Sequence, residues 1–214
     1  MRNSREGFLL VFLTSMSVFL AVVLYGAMPS RMVTHWGIDG LPNGWMDKFW
    51  GLAIYPLINL FLLLVYYGVP VLEPKKKNLA AFRKDYDRLM MWIFGVLNYI
   101  FILSFVYNLG VVFDMGRMVI PALGLLYVAI GMILPRSKQN FMVGIRTPWS
   151  LASEKVWQKT HFFGGRLFVF AGLVTIGSVF LPSRWGFFIL IGSILLVTLL
   201  TVVYSWKVYR RETK

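Results

Sequence analysis

Six stretches of this chain, 8–28, 49–72, 89–113, 118–134, 167–183 and 185–206, contain no Asp, Glu, Lys, Arg or His and are apolar almost throughout. Crossing the hydrocarbon of a bilayer as a helix takes about 20 such residues, with a range of about 17 to 25. All six qualify, the fourth and fifth at the short end, and the fifth helix is expected to start earlier, at His161 or Phe162. Helices are the form these runs must take, because no water is present at that depth to satisfy an open strand edge. Composition agrees. Of 214 residues, 58% are hydrophobic and 14% charged, where a soluble domain carries about 25% charged residues. A mean hydropathy of +0.68 leaves too little polar surface for a soluble enzyme or a disordered chain. The formal charge of +13 would suit nucleic acid only on a solvated basic face. Here the bases cluster between apolar runs, so the expected partner is the lipid bilayer, with no direct nucleic-acid contact. The absence of cysteine excludes disulfides, thiolate metal sites and a Cys nucleophile. The first run is too long for a signal-peptide core and lacks a small-x-small cleavage site, so it reads as a span. The expected fold class is all-α: a polytopic membrane protein with a bundle of six transmembrane helices.

Basic residues predict the orientation. Two lie in the amino tail (Arg2, Arg5), six in the segment after span two (73–88) and six in the loop after span four (135–166). Four more lie in the carboxyl tail, which leaves only Arg31, Lys48, Arg117 and Arg184 on the opposite side. The positive-inside rule places the base-rich side, and both termini with it, in the cytoplasm of a plasma-membrane protein. An even number of spans requires the termini to agree. The layout is then a two-span hairpin over 1–72 with an outer loop at 29–48, a basic cytoplasmic loop at 73–88, and a four-span region over 89–214.

Within the runs, Asn59, Asn98 and Asn108 are the most polar groups and read as interhelical hydrogen-bonding residues. With no ionisable group at depth, a carboxylate-driven pump is not expected. Pro56, Pro70 and Pro121 can bend spans two and four. Gly124/Gly131 and Gly165/Gly172 each lie seven apart on one helix face and suit a close approach of spans four and five. No span contains G-x-x-x-G, and the chain shows no convincing internal repeat.

Two connections are too long to be mere links. The outer one contains Asp39-Gly40 and Asn43-Gly44, both read as turn dipeptides. Trp36, Trp45 and Trp50 suit the headgroup layer. His35, Asp39 and Asp47 match no metal-ligand spacing, so no metal and no cofactor is expected and a hydrogen-bonded turn is the reading. The inner one runs from Lys138 to His161. Gly144 permits a tight turn, and Pro148 biases Thr147 toward extended backbone. Ser153 is a candidate N-cap, with Glu154 in the first turn where the helix dipole favours an acid. A helix from there places Trp157 and His161 four apart on one face. Arg146 reads either as a lipid-phosphate contact or as part of a recognition surface with Trp149, Trp157 and His161. The interface anchors would be Trp149 and Trp157.

The inner pattern N-F-x-x-G-I-R-T-P-W-S-L-x-S-E-x-V-W-x-K-T-H, over Asn140–His161, closely resembles the signature of the SdpI-type immunity protein family. The outer pattern P-x-x-x-x-x-H-W-x-x-x-G-x-P-x-x-x-x-x-K resembles the domain of unknown function that commonly opens its members. It departs at Val33-Thr34, before the His, where the family usually has a proline, and at Gly37, where Asn is frequent. The resemblance covers nearly the whole chain. It implies a six-span protein that protects its cell from a secreted, membrane-active peptide toxin, with signalling through a cytoplasmic repressor as a further expectation. Carried onto this chain, the implied partner-binding residues are Asn140, Gly144, Arg146, Thr147, Pro148, Trp149, Trp157 and His161. The outer motif comprises His35, Trp36, Gly40, Pro42 and Lys48. The competing readings are a small transporter or flippase for an amphipathic peptide or lipid, and a membrane enzyme. One His without a nucleophile or acid at defined spacing gives the enzyme little basis, so the protein is read as non-enzymatic.

Overall fold

The computed structural model describes residues 5–212; Arg2 and Lys214, counted among the tail bases, lie outside them. Six helices are long and apolar enough to cross a membrane: α1 (Arg5–Val23), α2 (Lys48–Leu72), α4 (Arg83–Asn108), α5 (Met115–Ile133), α7 (Glu154–Gly177) and α8 (Ser183–Glu212). Two short helices, α3 (Lys76–Ala81) and α6 (Pro148–Ala152), and two strands, β1 (Arg31–Trp36) and β2 (Pro42–Asp47), complete the fold. The polytopic helical bundle read from the apolar runs is what forms. Helices α1, α2 and α4 pack as one group and α5, α7 and α8 as a second, with α4 against α5 joining them.

Small residues set the tightest packing, as their spacing predicted. A Cβ built on Gly165 would lie 2.7 Å from the Gly131 carbonyl oxygen, and one on Gly172 would lie 2.6 Å from that of Gly124. Only hydrogen fits at these two crossings, so α5 and α7 meet backbone to backbone. In the other group, Asn59 Nδ2 donates to Asn98 Oδ1 at 3.2 Å, joining α2 to α4.

Three local readings change. The segment 73–88 is mostly helix: α3 fills its middle, and α4 starts at Arg83, ahead of its apolar run. The cause is a buried polar cluster. Arg83 Nε donates to Asp87 Oδ1 at 2.7 Å, the Tyr66 hydroxyl donates to the same oxygen at 2.9 Å, and Arg83 Nη2 donates to the Tyr66 hydroxyl oxygen at 2.6 Å. Charges that would break a span here satisfy one another at its end. The fifth helix begins at Glu154, capped by Ser153 as expected, well before His161.

The outer connection is a two-stranded antiparallel hairpin with irregularities flanking His35. Gly40 takes a positive φ of 78° and turns the chain. Gly44 does not: it lies inside β2, opposite His35, so Asn43-Gly44 is strand and not turn. The free edge of β1 is closed by Asn108 at the end of α4, whose side chain accepts from Val33 N at 2.7 Å and donates to Val33 O at 2.9 Å. An asparagine read as interhelical thus imitates a third strand. Below the hairpin, Met32 is buried and sits on Gly51 of α2.

Candidate functional site

The loop between α5 and α7 has no regular structure from Ser137 to Thr147, yet it is fixed at almost every residue. Its knot is Asn140, which is 0% exposed. The Asn140 Oδ1 accepts from Met142 N at 2.9 Å and Val143 N at 2.6 Å, while Nδ2 donates to Lys138 O at 2.8 Å and Val143 O at 3.0 Å. One amide thereby replaces the hydrogen bonds that a turn of helix would supply.

Gly144 follows with φ 121°, a conformation L side chains rarely adopt. A Cβ there would overlap His161 Nε2 and meet the Trp157 ring at 3.2 Å. His161 and Trp157 are both 0% exposed, stacked with ring centroids 3.9 Å apart. Ile145 N–H donates to His161 Nε2 at 2.9 Å, and the Nδ1 lies 2.8 Å from Trp157 O. A backbone N–H only donates and a carbonyl only accepts, so Nε2 carries the lone pair and Nδ1 the proton. The imidazole is neutral and both its nitrogens are spent on the backbone, which leaves it no catalytic proton to move. Trp157 Nε1 donates to Ser137 O at 3.1 Å. Both rings are therefore the floor of the loop, and Trp157 is not the interface anchor that its indole suggested. Trp149 is half-buried.

Thr147 has the extended backbone that Pro148 demands (φ −89°, ψ 158°) and caps α6, with Ser150 N donating to Thr147 Oγ1 at 3.1 Å and Thr147 N donating to Ser150 Oγ at 3.0 Å. The Thr147 hydroxyl also meets Ser205 Oγ of α8 at 2.5 Å. Between this cap and the His161 floor stands Arg146, exposed at the surface of the protein. Its Nη1 donates to Phe141 O at 2.5 Å. Of the eight residues expected here, Asn140, Gly144, Thr147, Pro148, Trp157 and His161 build the loop, Trp149 lies half-buried beside it, and Arg146 is the charged side chain among them, and it is exposed.

The opposite end of the bundle carries the hairpin motif. His35 Nδ1 pairs with Asn43 Oδ1 at 2.5 Å, Asp39 accepts from Leu41 N at 3.1 Å, and Asp47 caps α2 by accepting from Phe49 N at 2.9 Å. These three side chains, weighed as metal ligands, hold separate backbone and amide partners. Gly40 lies against Asp114 at the start of α5, and Trp36 sets its ring edge-on to Tyr107 at 5.4 Å. Pro42 opens β2, and Lys48 opens α2 with its Nζ 4.9 Å from the Tyr25 ring centroid.

Sequence reasoning missed three residues that complete the loop. Glu73, directly after α2, is 0% exposed. Its Oε1 accepts from Lys75 N at 2.8 Å and its Oε2 from Phe141 N at 2.9 Å. Gln139 takes the Lys75 ammonium on Oε1 and donates from Nε2 to Ser150 O at 3.0 Å and Leu151 O at 2.9 Å. Ser150 Oγ donates to Ile145 O at 2.8 Å. The available signal was slight: a lone acid at the end of an apolar run and before three lysines, which reads equally as a solvated loop charge.

Residues 136–205 match the SdpI/YfhL protein family and residues 12–60 match a domain of unknown function, DUF1648. The chain is 20% identical over 208 residues to the immunity protein SdpI of Bacillus subtilis (strain 168), an alignment covering 97% of each chain. No solved structure matches it.

Proposed function

The chain carries an SdpI/YfhL-family region behind a DUF1648 region, and on that premise we propose that it is a non-enzymatic membrane immunity protein that protects its cell against a secreted, membrane-active peptide toxin. The hairpin end faces outward and meets the toxin. The loop end faces the cytoplasm, with the eighteen-base side of the chain, and presents Arg146 to a protein partner, a repressor held at the membrane being the partner that this role calls for. The single observation that carries the reading is the state of that loop: a segment without regular structure is held by Asn140, His161, Glu73 and the Thr147 cap, and among the exposed side chains it holds is the Arg146 guanidinium, fixed on Phe141 O. A loop that only connected two spans would need none of this. The rigid fork of Arg146 suits a carboxylate or a set of carbonyls in fixed geometry.

The transporter reading gains no support from the asparagines among the described residues: Asn59 and Asn98 bond each other, and Asn108 is engaged on the hairpin. The test is deletion of the chain from its own host, followed by challenge with culture supernatant of the undeleted parent. The account expects killing of the deletion strain and rescue by the chain supplied in trans. Equal survival of both strains would overturn it.

A further inference from the structure

We propose that Glu73 is a positioning residue for Arg146, and that through it helix α2 makes the placement of Arg146 depend on the hairpin at the far end of the bundle. The inference deepens the reading of the loop as a recognition surface and rests on it.

Phe141 is the junction. Its N–H donates to Glu73 Oε2 at 2.9 Å, and its carbonyl accepts from Arg146 Nη1 at 2.5 Å. The acid and the base are thus linked across one residue of backbone, and a shift of Glu73 moves the group that Arg146 holds. Glu73 cannot shift alone. It is the C-cap of α2, its own N–H donating to Val69 O at 3.0 Å, and it is 0% exposed. A separate bond fastens the loop to α3, Asn78 Nδ2 donating to Gln139 O at 2.8 Å.

The other end of α2 is clamped just as directly. Strand β2 runs into the helix with no linker, because Asp47 is both the last residue of β2 and the N-cap of α2. Lys48 N donates to Ser30 O at 2.9 Å, before β1, and Gly51 accepts the Met32 side chain against its backbone. Between the clamps lies one helix of 25 residues, about 37 Å long at 1.5 Å per residue. Pro56 and Pro70 inside it each remove one backbone donor and allow it to bend, but a helix fastened at both ends still resists shortening along its axis, so a displacement along that axis reaches the other end.

The test uses the natural absence of cysteine. Met142→Cys places a single thiol beside the junction, and its maleimide labelling rate in purified, lipid-reconstituted protein reports loop opening. Glu73→Ala, which removes the acceptors of both Lys75 N–H and Phe141 N–H, should raise the rate about fivefold. At the hairpin end, Gly51→Ala puts a Cβ 3.0 Å from that of Met32 and should raise the rate about twofold in the Glu73 chain. In Glu73→Ala the same change should add nothing, because the tie is already cut. A residue that merely stabilised the loop would give two effects that multiply, and that result, or an unchanged rate in Glu73→Ala, overturns the proposal. Where Glu73→Ala accumulates poorly, the converse reporter serves. A thiol at Leu41→Cys on the hairpin should change its labelling rate in a Phe141→Pro chain, which keeps Glu73 and removes the N–H that it accepts, and constancy there overturns the coupling equally. No toxin is present in either assay, so failure of the immunity reading in cells and failure of this coupling are separate results.

Discussion

Gly144→Ala is the smallest change that should dismantle the loop, and its size can be worked from the site. At φ 121° an alanine is strained by about 1–3 kcal/mol. Its methyl group also lands on His161 Nε2 and on the Trp157 ring, both buried and stacked. The imidazole must turn away, which breaks the bond from Ile145 N–H and leaves a part-buried donor unpaired, at a cost of about 1–3 kcal/mol. The two effects together come to about 2–6 kcal/mol. Even the lower bound multiplies the open population about thirtyfold, at tenfold per 1.4 kcal/mol. The Ile145 amide reports this directly, because its protection from hydrogen exchange depends on the His161 bond. Exchange measured by mass spectrometry on peptides covering 139–148, in lipid nanodiscs, should accelerate at least thirtyfold. Gly68→Ala in α2 is the control: nothing lies within 4 Å of its Cβ, and removing a helix glycine gains about 0.5–1 kcal/mol. Exchange in Gly144→Ala within threefold of the unaltered protein would refute the account of the loop as a His161-floored structure that only a glycine fits.

Asn140→Asp keeps the shape of the knot but turns its donor toward Lys138 O and Val143 O into an acceptor, so about 3 kcal/mol of local stability should be lost; tryptic cleavage after Lys138 should rise sharply, and an unchanged digest would contradict the assignment. The double substitution Gly131→Ala/Gly165→Ala should lower thermal stability by about 1–3 kcal/mol through overpacking, whereas Gly192→Ala, with no neighbour within 4 Å, should raise it slightly; equal effects would show that α5 and α7 do not meet backbone to backbone. For the orientation, an impermeant thiol reagent applied to intact cells should label Leu41→Cys on the hairpin and spare Lys77→Cys in α3, and labelling of the latter would reverse the topology.

How much of this was legible beforehand divides by the range of the interactions. The helices follow from apolar runs alone, because a bilayer forces backbone bonds to close within each segment. The crossing of α5 and α7 was visible in the spacing of four glycines, and the conformations of Gly144, Thr147 and Ser153 followed from their residue types. What stayed hidden depends on distant partners. The outer edge of β1 is closed by Asn108, 75 residues from Val33, and Asn43-Gly44 reads as a turn until its pairing with His35 across the hairpin is seen. Glu73 looks like one more loop charge until Phe141 is found 68 residues away. Trp157 looked like an interface anchor because indoles favour headgroups, and only its contact with Ser137, Gly144 and His161 shows it to be core.

The central claim is that the loop presents Arg146 for recognition, and substitution of that residue alone tests it most directly. A lipid phosphate needs a point charge, which lysine supplies nearly as well. A partner engaged by the guanidinium fork, with Phe141 O holding one arm, does not accept that replacement. Arg146→Ala and Arg146→Lys should both reach the membrane at normal abundance, since the residue is exposed and outside every helix. Survival under challenge with the parent's culture supernatant is the measurement, with membrane abundance quantified in the same cells. The account predicts that Arg146→Lys fails almost as badly as Arg146→Ala; full protection by Arg146→Lys at normal abundance would contradict it.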